Sequence, residues 1–273
     1  MKRILILAAA VLAAVACGQK SQTSKALILY YSQTATTQAV AEEIQKLTGA
    51  DIEEIALVNP YDGTYQETIE RGSREVAEGV LPELQPLKAN LAEYDVIFLG
   101  YPVWFGTYAN PIGTLLATVD LSGKKIIPFC TFGSGSLEAS AAAIAAKLPK
   151  SEVLPAYGVR AARIDAMPQE VETFLKQLGC IPGEVTPLAD FPAPHAVSEE
   201  EAAIFDVAVA DYPMISAVAR EVASRAVPGG TEYCFKAVNK PREGREIAPN
   251  APTQTIYVIA MDGQAPIFTR VVR

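Results

Sequence analysis

The chain has 273 residues, enough for one α/β domain and a smaller second domain, and half of its residues are hydrophobic. This composition is that of a globular protein and excludes disorder over most of the length. With 31 acidic and 23 basic residues the net charge is −8, which opposes contact with nucleic acid phosphates, so we expect no nucleic acid partner. The four cysteines have no CxxC spacing, and no metal site is predicted.

The first residues have the layout of a secretory signal. Two basic residues precede an apolar run at 4–15 that is too short for a stable membrane span. Small residues then lead to Cys17, which is similar to the lipobox of bacterial lipoproteins, although Ala14 stands where leucine is usual. We predict a signal peptide at 1–16, lipidation of Cys17 and a polar tether at 17–24, and therefore an exported lipoprotein anchored on the periplasmic side or at the cell surface. An ordinary cleaved signal peptide and an uncleaved anchor are the alternatives.

From residue 25 to residue 180, strand patterns alternate with helix patterns. Strand patterns, most of them apolar runs typical of buried strands, lie at 26–31, 52–57, 96–100, 125–130 and 153–159. Helices are predicted at 38–47, 65–80, 137–148 and 168–178. Because each helix returns the chain to the same end of the sheet, the pattern predicts a five-stranded parallel sheet covered on both faces, an α/β fold of three layers.

The alternation ends at a stretch that contains four prolines, residues 181–194, which we interpret as a semi-rigid linker. A capping-box pattern follows, with Ser198 as the cap and Glu201 three residues later. It predicts a helix that runs to about Arg225 with a kink at Pro213.

Strand-like runs complete the chain at 231–238, 253–261 and 264–272, with Asp262-Gly263 as a hairpin turn. We expect residues 195–273 to form a small α+β domain, a helix plus an antiparallel meander. Residues 227–233 resemble the Q-x-V-x-G-x-N-Y hairpin of cystatins, but the leading glutamine is absent and Pro228 intrudes. The resemblance implies a cystatin-like fold, with protease inhibition and a structural or partner-docking role as alternatives.

The strongest functional signal is a hydroxyl-rich turn between the first strand and the first helix. It consists of Ser32, Gln33, Thr34, Ala35, Thr36 and Thr37. A phosphate there meets the free N–H groups and the positive end of the helix dipole, and hydroxyl groups complete its shell without a cation. An ordinary N-cap has a similar composition, but the carboxyl end of a parallel strand is where open α/β sheets bind ligands.

Two further loops follow the third and fourth strands. One, Pro102, Val103, Trp104, Phe105 and Gly106, contains the only tryptophan, on which a planar ligand can stack. The other, Thr131, Phe132, Gly133, Ser134 and Gly135, combines flexible backbone with free amides. Such loops often pack on their own domain, so each is weak by itself. Because all three loops follow strands at one edge of the sheet, together they predict one ligand site.

These loops resemble those of the flavodoxin family, whose bacterial branch carries S-x-T-G-N-T, P-V-W-W-G and T-x-G-x-S/G motifs. The resemblance covers about 25–179 and includes the spacing. It implies that the first loop (32–37) holds the phosphate of FMN, that the second loop (102–106) flanks the isoalloxazine ring, and that the third loop (131–135) borders its other side. Ala35 stands where the family has glycine and Thr36 where it has asparagine, so a positive φ at residue 35 would strain the first loop.

The resemblance implies an FMN-dependent redox protein that exchanges electrons with a partner protein or a small-molecule acceptor. An electron carrier and a quinone or nitro-compound reductase share the phosphate loop, and the sequence leaves both open. Ala35 also keeps open a flavin-free binding or adaptor lipoprotein on the same fold. We predict no catalytic side chain, and we expect the single histidine, His195, to be solvated.

Overall fold

The computed structural model describes residues 25–241, 247–248 and 251–272. The predicted signal peptide, Cys17 and the tether lie outside the described residues. Within the described ranges, no helix combines the length and the apolar character needed to cross a membrane.

The N-terminal region alternates strands and helices as the sequence predicts. In chain order these are β1 (Ala26–Tyr30), α1 (Thr36–Thr48), β2 (Asp51–Glu54), α2 (Tyr65–Glu78), β3 (Val96–Trp104), β4 (Thr107–Tyr108), α3 (Asn110–Thr118), β5 (Lys125–Phe132), α4 (Leu137–Lys147), β6 (Glu152–Val153), β7 (Tyr157–Arg160) and α5 (Met167–Gln177). The sheet order is β2-β1-β3-β5, all parallel, and both β6 and β7 pair with β5 on its far side. The predicted parallel sheet is confirmed, with its fifth strand broken into two short segments.

Helices cover both faces of this sheet. One apolar cluster contains Leu99 of β3 with Leu115 of α3, and the other contains Phe98 of β3 with Val40 of α1. Adjacent residues of β3 thus point into different clusters, and both are almost fully buried. Burial on both faces is the physical reason for the continuous apolar runs.

Helix α3 has no counterpart among the predicted elements. Pro111 lies in its first turn, where a missing N–H is tolerated. The buried amide of Asn110 donates to the Gly72 carbonyl at 3.0 Å and to the Glu75 carboxylate at 2.8 Å. Contacts with α2, distant in sequence, therefore fix the start of α3.

The C-terminal region forms a second, antiparallel sheet with one helix. Its elements are β8 (His195–Ala196), α6 (Glu199–Val209), β9 (Ala217–Val227), β10 (Gly230–Asn239), β11 (Thr253–Met261) and β12 (Ile267–Val272), in the sheet order β12-β11-β10-β9-β8. Helix α6 begins at the predicted capping box, where the Ser198 hydroxyl accepts from the Glu201 N–H and the Glu201 carboxylate accepts from the Ser198 N–H.

The predicted extension of this helix to Arg225 is wrong. Ala217–Val227 is strand β9, which pairs with β10 along its whole length. The turn at Pro228-Gly229 therefore joins two strands instead of following a helix. The cystatin-like fold of this region stays a prediction. The residues of β9 favour a helix locally, and the pairing with β10 overrides that preference.

Candidate functional site

The structure brings the three predicted loops together at one edge of the parallel sheet. They lie at the carboxyl ends of β1, β3 and β5, which are neighbours in the sheet. The Thr37 and Thr131 hydroxyl oxygens are 2.8 Å apart, and both side chains are buried, so the first and third loops are joined at their bases. A methyl group at Gly106 would lie 3.9 Å from the Ser136 hydroxyl, which places the second loop beside the end of the third.

The first loop leaves the N-terminus of α1 open. Its N-cap, Ala35, has φ 61° and makes no side-chain capping bond. Among the described residues, no protein group accepts from the backbone N–H groups of Thr34, Ala35, Thr36 or Thr37. Unpartnered N–H groups at the positive end of a helix form an anion site, so this turn fits a phosphate.

The side chains of the first loop have two different surroundings. Thr34 is exposed, and its hydroxyl lies 3.3 Å from that of Thr36, so these two hydroxyls are accessible to a ligand. The Ser32 hydroxyl accepts from the Gln38 N–H at 3.3 Å. Gln33 donates to the Tyr61 carbonyl at 2.7 Å and accepts from the Tyr31 hydroxyl, and therefore supports the loop from behind.

The second loop is a tight hairpin with aromatic side chains. Trp104 pairs with Thr107, and the two residues between them, Phe105 and Gly106, have φ values of 50° and 82°. A two-residue turn with both φ values positive is the type I′ hairpin turn. Pro102 and Val103 are half-buried at the end of β3, so their side chains support the hairpin.

The two aromatic rings of the second loop differ in exposure. The Trp104 ring packs edge-to-face against Tyr31, with centroids 5.8 Å apart, and against Tyr61 at 5.1 Å. The Phe105 side chain is 49% exposed and lies beside Gly72 of α2. The structure thus presents one supported and one open aromatic ring to a planar ligand.

The third loop begins buried and ends against the C-terminal sheet. Thr131 and Phe132 are buried at the end of β5, whereas Gly133 is exposed. The Ser134 carbonyl accepts from the Val271 N–H of β12 at 2.7 Å. A side chain at Gly135 would lie 2.1 Å from the Val271 carbonyl oxygen, so only glycine fits there.

Backbone strain is concentrated in these loops. Among the described residues, the non-glycine residues with positive φ are Ala35, Phe105 and Ser136. Ala35 lies in the first loop, Phe105 in the second, and Ser136 directly after the third. Such conformations persist where the surrounding structure enforces them, and they cluster at ligand sites.

The site offers binding groups instead of acids and bases. Burial raises the pKa values of the nearby phenols, that of Tyr30 to about 12, so these groups stay neutral at physiological pH. Burial also raises the pKa of the Cys130 thiol, which makes it a poor nucleophile. Within the described residues, no group of three or more His, Cys, Asp or Glu side chains could hold a metal ion.

A cleft of about 310 Å³ lies beside the site, along the connection from β2 to α2. Tyr61 lines it and also contacts Trp104, but no residue of the three loops does. Its Arg71 donates to the Asn59 and Pro60 carbonyls and to Glu75, and this guanidinium stacks on Tyr61 at 4.0 Å. Arg71 is therefore engaged in holding this connection, and the loops remain the better ligand site. The sequence around Tyr61 and Arg71 indicates a turn, but no sequence pattern marks either residue as part of a site.

The fold and the site define a doubly wound α/β protein with an anion-binding turn and aromatic loops at the carboxyl ends of its strands. A family model described as flavodoxin matches residues 25–164, and the chain belongs to the flavodoxin family. This membership confirms the fold and the FMN cofactor that the sequence resemblance implies. The open N–H groups of the first loop and the aromatic second loop fit a phosphate and a planar ring.

Several solved structures are similar to part of the chain. A candidate flavoprotein from Bacteroides eggerthii is 29% identical with a TM-score of 0.50 and covers 57% of this chain and 98% of its own. A flavoprotein in complex with FMN from Lactobacillus acidophilus is 25% identical with a TM-score of 0.45, and the match covers 53% of this chain and 98% of that protein. Oxidised Flavodoxin 2 from Bacillus cereus is 18% identical with a TM-score of 0.37, and the match covers 55% of this chain and 94% of that protein. No curated protein matches the chain.

Proposed function

We propose that the chain is an FMN-dependent redox protein, exported and lipid-anchored, that exchanges electrons with a partner protein or a small-molecule acceptor. The observation that carries the proposal is the convergence of three loops, two of which contain a residue with a strained positive φ, around the uncapped N-terminus of α1. FMN, when bound, accepts and releases one or two electrons, and the protein supplies orientation and surroundings.

The first loop binds the phosphate through backbone N–H groups and through the hydroxyls of Thr34 and Thr36. No lysine or arginine lies within 32–37, so the helix dipole and the hydrogen bonds stabilise the negative charge of the phosphate. Thr37 contributes its backbone N–H, because its hydroxyl is buried against Thr131.

The second and third loops bind the ring on its two sides. Trp104 is braced by Tyr31 and Tyr61, so it offers a ring surface whose orientation is fixed before the ligand arrives. The described loops hold no carboxylate or imidazole for proton transfer at this edge, which fits electron transfer by a carrier or by a reductase.

Parallel titrations with FMN and with riboflavin test this assignment. Both ligands have the ring, but riboflavin lacks the phosphate. In the double variant Thr34→Ala with Thr36→Ala, we expect FMN binding to weaken by about 10- to 1000-fold, because two hydrogen bonds to a charged acceptor are lost. Riboflavin binding should be unchanged. Isothermal titration calorimetry measures both affinities.

Trp104→Ala is the matched comparison, because it should weaken both ligands by a similar factor. A double variant that binds FMN as tightly as the parent would overturn the placement of the phosphate. A colourless parent protein that takes up no added FMN would overturn the proposed function itself.

Anchoring is a separate part of the proposal and rests on the lipobox-like sequence before Cys17. A thioether-linked lipid requires the sulfur of this cysteine, so Cys17→Ser should move the protein from the membrane fraction to the soluble exported fraction. Fractionation with immunoblotting measures this. Retention of the Cys17→Ser variant in the membrane would contradict lipidation at this position.

A further inference from the structure

The C-terminal sheet reaches the third loop through its edge strand. Val271 of β12 and Gly135 form a parallel β-bridge, and the Val271 N–H donates to the Ser134 carbonyl at 2.7 Å. Residues 134–135 therefore act as a short additional strand on β12. The absence of a side chain at Gly135 permits this approach.

One buried side chain strengthens the junction. Arg160, at the end of β7, is 6% exposed. Its Nε donates to the Gly133 carbonyl at 2.9 Å, and its Nη1 donates to the Phe268 carbonyl of β12 at 2.7 Å. The guanidinium also lies over the Phe268 ring at 3.4 Å from the centroid. Arg160 thus contacts the third loop and the C-terminal sheet at the same time.

The partners of Arg160 are unusual for a buried cation. Among the described residues, no carboxylate lies within 4.0 Å of it, whereas most of the other described arginines form ion pairs. Burial lowers its pKa to about 10, so it stays protonated at neutral pH. Two backbone carbonyls and an aromatic face replace the usual counter-ion, which makes its position dependent on both the third loop and β12.

We propose that Arg160 is a positioning residue through which the C-terminal sheet holds the third loop against the flavin ring. The C-terminal sheet is then part of the flavin site and not an appended module. This inference rests on the proposed function, because the ring is assigned to the third loop by membership of the flavodoxin family.

The physical reason lies in the composition of the third loop. Its base is fixed by the hydrogen bond between Thr37 and Thr131, but Gly133 and Gly135 give the rest of the loop many accessible conformations. Ordering such a loop when the ring binds would oppose binding. Arg160 and β12 order it beforehand, so the ring enters a preorganised site.

Arg160→Met and Arg160→Lys test the inference in the full chain. Methionine removes the charge and both hydrogen bonds, and we expect FMN and riboflavin to bind about 3- to 10-fold more weakly, by the same factor for both, with a shifted visible absorption band of the bound flavin. Lysine keeps the charge but can satisfy the two carbonyls less well, so Arg160→Lys should lie between the parent and Arg160→Met.

Arg225→Met is the matched control. Arg225 also lies over an aromatic ring, that of Phe191 at 4.3 Å, and donates to a backbone carbonyl, that of Ala189 at 3.0 Å. It contacts β10 through Glu232 and makes no hydrogen bond to the three loops. We expect Arg225→Met to lower the melting temperature without changing either flavin affinity or the absorption band.

The outcomes separate this inference from the proposed function. Equal flavin affinities and spectra for the parent and Arg160→Met would overturn the inference alone, as would a loss confined to FMN. If Arg160→Met does not fold, Arg160→Lys is compared with Arg225→Lys, and unchanged flavin binding in both would overturn the inference. A parent chain that binds no flavin would overturn the proposed function and this inference with it.

Discussion

The two sheets of the molecule bury their strands in different ways. In the parallel sheet most residues of β1 and β5 and the first two thirds of β3 are buried, because helices cover both faces. In the antiparallel sheet burial is interrupted along β11 and β12, and α6 packs against that sheet. Strands of similar length therefore carry different sequence patterns, a continuous apolar run in one sheet and a broken one in the other.

The two regions also differ in where the backbone is strained. All the described non-glycine residues with positive φ lie at the carboxyl edge of the parallel sheet, whereas the turns of the antiparallel sheet place glycine at such positions, Gly229 and Gly263. Turns that only connect strands use glycine, which adopts a positive φ without strain. Turns that form a ligand site keep a side chain in spite of the strain.

Matched isoleucine truncations give the largest expected difference between the sheets. Ile126 and Ile127 are adjacent in β5, point into different clusters and are both buried, so each change to alanine should lower the free energy of unfolding by about 2–5 kcal/mol. In β11, Ile256→Ala should have a similar effect, because Ile256 is fully buried. Ile259→Ala should lower stability by only about 1 kcal/mol, because Ile259 is half-buried.

Urea unfolding measures these differences. Fluorescence of Trp104, the only tryptophan, follows the parallel sheet, and far-ultraviolet circular dichroism follows both sheets. A small effect at either Ile126 or Ile127 would mean that one face of the parallel sheet is less well covered than the structure shows. Equal losses of stability in Ile256→Ala and Ile259→Ala would mean that β11 is buried on both faces, as the strands of the parallel sheet are.

Substitutions between alanine and glycine at positions with positive φ should change the free energy of unfolding by a smaller amount. The sign of the change should be opposite in the two regions. Ala35 has φ 61°, so Ala35→Gly should raise the free energy of unfolding by about 0.5–1 kcal/mol, because the left-handed conformation is less strained in glycine. Gly229 has φ 75°, so Gly229→Ala should lower it by about 1 kcal/mol. Thermal unfolding measures both, and a stabilising Gly229→Ala or a destabilising Ala35→Gly would contradict the strain argument.

The sequence predicts the parallel sheet well because its signals are local. The run 96–100 is apolar at every position, and 125–130 is apolar after Lys125, which in a short segment indicates a strand buried on both faces. The start of α6 is equally local, since a capping box needs only Ser198 and Glu201. The three loops were found in the same way, from small residues and glycines directly after predicted strands.

The remaining features depend on contacts between distant residues. Ala217–Val227 contains residues that favour a helix, and only pairing with β10 makes it a strand. The hydrogen bond between Thr37 and Thr131 joins residues 94 positions apart. That from Arg160 to Phe268 joins residues 108 positions apart.

The amino-acid sequence alone therefore determined the class of fold and the composition of the candidate site, because these follow from short-range periodicity and turn chemistry. The resemblance of its loop motifs to those of flavodoxins pointed to the family. Only the tertiary structure decided that the hydroxyl of Thr37 turns inward, that Tyr31 and Tyr61 brace Trp104, and that the C-terminal sheet closes on the third loop. Side-chain directions and loop contacts of this kind are set by packing and hydrogen bonding across the whole chain, and no local pattern encodes them.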